Sequence, residues 1–304
     1  MAENSAVRAL MTELTPPRGD RSGGHDALSP VAALVRRHDH DRFQTVLFAP
    51  AARREPLFAL YAFNYEIARV REVASEEILG QIRLQWWREA VAAAYQGGTA
   101  RRHDVVEALS AAIRGHGLTR AHFERLIEAR EGDLAAAPQA SLAALEAYCE
   151  SSSARLVYLA GEILGLSDPE SLVAARDIGI GYGLAGLLRA LPFHAGAGRC
   201  FIPDEIAAKT GLDPRDYRAR RPSAGLRNAV AAVAEAAEAH LAAGRAGRPA
   251  IPRSALAAFL PAVVADRFLT RLKRAGCNPF DPALAIPDPL QSWRLLAAAL
   301  RSRF

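Results

Sequence analysis

Apolar residues recur at three- and four-residue steps along most of the chain, and no stretch alternates polar and apolar positions long enough to argue for a sheet. The pattern predicts an all-α protein. Its strongest segment, residues 57–91, reads as two helices joined by a polar link at Ala74, Ser75, Glu76 and Glu77. Leu57, Leu60, Tyr61 and Asn64 or Ile67 fall on one face of the first helix. Pro56 suits a helix start, where its missing N–H would have no partner anyway. Ser75 is the candidate N-cap of the second helix, which carries Gln85, Trp86, Trp87, Arg88 and Glu89 and stops at Gly97 and Gly98.

Further helices are predicted over residues 31–35, 105–113, 142–164, 224–243 and 251–272, and from 289 onward. Another runs from a Thr119 cap to about residue 133. His38, Asp39, His40 and Asp41 read as a polar loop rather than a metal site, since no second ligand cluster accompanies them. Asp168, Pro169 and Glu170 form a strong helix start. The helix that follows contains Gly179, Gly181, Gly183 and Gly186, each costing about 1 kcal/mol against alanine unless something approaches the backbone closely. Ser151, Ser152, Ser153 and Ala154 offer a similarly small surface. Pro192 disfavours the α conformation at Leu191, so this helix is predicted to end there.

Residues 1–29 are rich in Ser, Gly, Pro and charge and are predicted to be a disordered N-terminal tail. Residues 30–304 form one helical domain, with no internal repeat. The formal charge is +5, carried almost wholly by scattered arginines, since Lys209 and Lys273 are the only lysines. No block of like charge marks a nucleic-acid footprint, whereas a modest attraction to an anionic membrane surface is consistent with the sign. Cys149, Cys200 and Cys277 lack metal-type spacing and read as reduced packing thiols in a cytosolic compartment. No signal peptide is apparent, and no apolar run approaches the roughly 20 residues that span a bilayer.

The stretch Phe58-Ala59-Leu60-Tyr61-Ala62-Phe63, followed by Leu84-Gln85-Trp86-Trp87-Arg88, resembles the squalene/phytoene synthase family. The resemblance implies an isoprenoid-synthase-type helical bundle with an apolar central cavity. Such synthases ionise allylic diphosphates with magnesium held by two aspartate-rich boxes on facing helices. Here the first box falls on Ala68, Arg69 and Glu72, and the second on Ala190, Phe193 and His194 after a matching Arg189. The segment Gly198-Arg199-x-Phe201-Ile202-Pro203 also matches. At about 100° per residue, the family's carboxylates at i, i+1 and i+4 converge on one wall. Glu66, six residues before Glu72, points about 120° away and cannot replace the missing pair.

Those departures are themselves a pattern. Phe63-Asn64-x-Glu66, Gly80-x-Ile82-Arg83-x-Gln85-x-Trp87 and Leu188-Arg189-Ala190-x-Pro192-x-His194 are similar to a non-catalytic branch of the family. Its members assist the assembly of respiratory complex I, and the resemblance covers about residues 41–281. It implies no catalytic residue, no metal and no cofactor, with complex I subunits or other assembly factors as partners. The implied location is cytoplasmic, with peripheral contact at the inner membrane. Candidate cavity or partner-binding residues are Asn64, Glu66, Arg69, Glu72, Gln85, Arg189 and His194. Two competing readings are a head-to-head prenyl transferase, which would need Mg²⁺, and a carrier for an isoprenoid or quinone tail.

Overall fold

The chain, seen as a computed structural model, is described over residues 28–74, 76–98, 101–135 and 138–304. Most of the predicted tail and the predicted Ser75 cap lie outside the described residues. Ser29 belongs to the folded domain: its hydroxyl accepts from the Ala32 N–H and donates to Glu55. That cap starts α1 (Pro30–His38). His38 to Asp41 is no loop. Asp39 alone separates α1 from α2 (His40–Val46), because its carboxylate caps α2 through the Arg42 N–H.

Helix α3 (Ala51–Ala68) begins five residues before Pro56, which lies inside it and withdraws one N–H from the ladder. The loss is outweighed by the run 57–64, every residue of which is buried. After α4 (Val70–Val73), α5 (Glu77–Tyr95) packs Trp87 edge-on against Phe63, with ring centres 5.4 Å apart. Helices α6 (Asp104–His116) and α7 (Arg120–Gly132) complete this half, and Phe123 meets Phe63 at 5.5 Å. The predicted helix over 142–164 is three pieces in line: α8 (Leu142–Cys149), a π turn (Glu150–Ala154) and α9 (Arg155–Ile163).

The π turn meets α10 (Pro169–Gly196), the longest helix. A Cβ at Gly179 would lie 2.3 Å from the Ala154 Cα, and one at Gly183 3.0 Å from the Ser153 Cβ. The glycine face and the small-residue run therefore touch, as their sizes predict. On its other side α10 packs on α13 (Ala224–Ala246), where a Cβ at Gly181 would strike Leu241. Gly186 has no such neighbour. Pro192 does not end α10, which continues to Gly196. Leu188, Leu191 and Ala195 stay buried along one face, and the Tyr217 hydroxyl donates to the Leu191 carbonyl, so tertiary contacts hold the turn. By length and composition α10 could cross a membrane, contrary to the expectation that no run could; its buried face makes it the core helix here.

Short helices α11 (Asp204–Thr210) and α12 (Pro214–Arg218) connect α10 to α13. Then α14 (Pro261–Arg274), α15 (Pro282–Ala285) and α16 (Gln291–Leu300) close the bundle. No strand occurs among the described residues. The three cysteines are free thiols.

Candidate functional site

The two box positions lie on α3–α4 and α10. Helix α3 ends at Ala68 with Arg69 as its C-cap, still near-helical and bonded through its N–H to the Tyr65 carbonyl, and α4 begins at Val70. The first box thus spans the junction of the two helices, and Glu72 is exposed. Arg69 turns back toward Glu66, 3.6 Å away, and covers the Tyr65 ring, which stacks on His38 at 4.3 Å. Burial raises the Glu66 pKa, against the pull of Arg69 and Arg83. Asn64 is buried on α3, and its side-chain oxygen has no hydrogen-bond partner among the described residues.

On the facing helix, the second box is equally far from a metal platform. Phe193 is exposed. His194 packs on Phe201 at 4.6 Å, and the Arg199 guanidinium lies over the same Phe201 ring at 5.0 Å. Burial, aided by the Arg199 charge, pushes the His194 pKa down to about 4, so the ring is neutral near pH 7. Arg189 reaches Asp41 at 2.6 Å, and Asp41 also accepts from Gln291, tying α10 to α2 and α16. Burial works against both charges of this pair. The neighbouring opposite charges prevail, lowering the Asp41 pKa and raising that of Arg189.

Between the two walls stands a residue that sequence reasoning missed. Arg42 on α2 lies 5.4 Å from the centre of the Tyr61 ring on α3 and 5.0 Å from that of Tyr182 on α10. Its guanidinium donates to Asp39 at 2.7 Å. Burial works against the cation, yet the Asp39 carboxylate, with the electrostatic pull of Tyr182 and Tyr61, raises its pKa. A second buried cation follows: Arg130 donates to Asp133 and to the Tyr148 hydroxyl at 3.0 and 2.9 Å, and Tyr148 donates to Asp133. Arg42 and Arg130 feel each other's charge. The only trace of this row in the sequence is the i, i+3 spacing of Asp39 with Arg42 and Arg130 with Asp133, which surface ion pairs share.

The structure therefore brings Glu66 and Arg69 together, leaves Asn64 buried on a different side of α3, and sets Arg189 and His194 on separate stretches of α10. Glu72 and Gln85 are elsewhere; Gln85 is exposed on α5 and donates to Glu89, so it lines no cavity. Among the described residues, no group of three or more His, Cys, Asp or Glu side chains could hold a metal ion. These residues do not fit magnesium: the box positions lack converging carboxylates, and Arg69 puts a guanidinium at the first of them.

Facing helices α3 and α10 around a buried polar row define an isoprenoid-synthase type of fold. A solved squalene synthase from Alicyclobacillus acidocaldarius superposes with a TM-score of 0.74 at 25% identity, covering 82% of this chain and 94% of that one. The family model for squalene/phytoene synthases matches residues 35–297, and the chain belongs to that family. Within it, the chain is 32% identical over 268 residues to NADH dehydrogenase (ubiquinone) complex I, assembly factor 6, of Bos taurus, covering 86% of this chain and 80% of the relative. It is also 30% identical over 196 residues to the presqualene diphosphate synthase of Rhodopseudomonas palustris, covering 64% and 69%.

Proposed function

We propose that this chain is a non-catalytic member of its family that assists the assembly of respiratory complex I. The observation that carries the reading is the loss of both carboxylate boxes: Arg69 and an exposed Glu72 stand at the first and an exposed Phe193 and a neutral His194 at the second, where metal-assisted ionisation would need converging carboxylates. The Arg69 cation at the first box repels magnesium instead of gathering it. The similarity to complex I assembly factor 6 extends along 86% of the chain, in keeping with a whole-protein role. Complex I subunits or other assembly factors are the partners in this reading, and the cytoplasmic face of the inner membrane is the place of work. The Glu66–Arg69 pair is the surface that would recognise them.

A second reading, prenyl transfer, is favoured by the match to a presqualene diphosphate synthase. Titration calorimetry and a product assay with farnesyl diphosphate and Mg²⁺ separate the two. The proposal predicts no magnesium-dependent heat and no product. Micromolar, metal-dependent binding with turnover would establish the enzyme instead. Binding of the isoprenoid without metal or product would favour a carrier for isoprenoid or quinone tails.

A further inference from the structure

The C-terminal helix α16 is amphipathic, but its apolar face points outward. Leu295 is fully buried and fixes the helix inward, aided by Gln44, which donates to the Ser292 hydroxyl at 2.9 Å. Trp293 lies about 200° around the helix from Leu295 and is 68% exposed. Leu300 falls within about 20° of Trp293 and is 71% exposed. Leu296, Leu290 and Ile286 extend the same exposed apolar surface along the helix and into the segment that precedes it. Five large apolar side chains in one strip exceed the scattered exposure normal for a soluble surface.

Charge decides what covers the strip. Arg294 and Arg301 project about 80–100° from Trp293 on that same helical geometry, along one edge of the apolar face, and with Arg303 they are exposed. Between residues 286 and 304 the single acid is Asp288, which already bridges Arg267 at 2.9 Å and Arg294 at 3.1 Å. Arg271 donates to the Ala283 and Ile286 carbonyls and pins the entry to the strip. An apolar face with tryptophan at its centre and arginines along its edge suits a headgroup layer: the rings and leucines enter the acyl boundary while the guanidiniums meet phosphates.

We infer that α16 and its entry segment dock this protein on an anionic phospholipid surface, lying in the plane of the membrane. The inference deepens the proposed reading, which already places the protein at the inner membrane, and the two fail separately because vesicle binding and complex I levels are measured independently. The other two tryptophans, Trp86 and Trp87, are buried, so Trp293 reports on its own surroundings. Full-length protein is mixed with vesicles of phosphatidylcholine, or of equal parts phosphatidylcholine and phosphatidylglycerol. Flotation with the anionic vesicles and a blue shift of tryptophan emission are expected, both reduced by salt. Trp293→Ser with Leu300→Ser, both at exposed positions, lowers partitioning by at least about tenfold while the thermal melt is kept. Arg301→Glu with Arg303→Glu weakens binding to anionic vesicles alone. Equal binding to neutral vesicles, unchanged binding by the Trp293/Leu300 variant, or no binding by the wild type each overturns the inference. So does self-association lost in that variant without vesicle binding, which would make a second copy the occupant.

Discussion

The guanidinium of Arg42 lies 5.0 Å from the centre of the Tyr182 ring, joining a helix near the N-terminus to the longest helix of the core. Through Tyr61 the same cation also touches α3, and Asp39 balances its charge. Removing one partner of a buried pair leaves the other uncompensated. Arg42→Met should therefore destabilise the fold by about 3 kcal/mol, the lower end of the buried-pair range because Asp39 retains some contact with water. Arg42→Lys keeps the charge but loses the flat contact between two rings, at a cost of about 1–2 kcal/mol. Urea denaturation measures both. A loss below about 1 kcal/mol in the methionine variant would mean that the cation does not hold the two walls together.

The glycines of α10 make a paired prediction. Gly179→Ala places a Cβ against the Ala154 backbone and should cost about 1–3 kcal/mol. Gly186→Ala meets nothing within 4 Å and should stabilise the helix by about 0.5–1 kcal/mol. Thermal melts of the two variants should move in opposite directions. Movement in the same direction would contradict the packing described for α10.

Much of this architecture is legible in the order of the residues alone. Caps such as Asp168 carry their own chemistry, and the small residues at Gly179, Gly183 and Ser151 to Ala154 have no reason to be small except contact. What escapes is what only tertiary contacts decide. Pro192 stays inside α10 because Leu188, Leu191 and Ala195 remain buried around it. Arg42 resembles any surface arginine in an i, i+3 pair until Tyr61 and Tyr182 are seen on either side of it. Gln85 belongs to a motif, yet its helix turns it to solvent, while Trp86 and Trp87 beside it are buried. A motif names positions; burial decides which of them form a wall.

His194 links the site to pH. Its folded pKa is lowered from 6.5 to about 4, so between those values the unfolded chain binds a proton that the folded chain refuses. Stability therefore falls as pH drops through this window and levels off, for this group, below about 4. His194→Phe keeps an aromatic ring against Phe201 and abolishes the titration. His38, His103, His116 and His122 are shifted the same way, so the comparison is between slopes. The variant should lose less stability than wild type between pH 7 and pH 5. Parallel slopes would show that His194 titrates normally.

The most direct test of the account is made in cells. A strain lacking this gene is compared with one that carries it back on a plasmid, by NADH oxidation in isolated membranes and by lipid extract. An assembly factor's loss lowers the amount of assembled NADH:quinone oxidoreductase and leaves squalene, hopanoid and carotenoid products unchanged, and the plasmid restores the oxidase. Normal NADH oxidation together with a missing isoprenoid would contradict the account and make the chain a synthase.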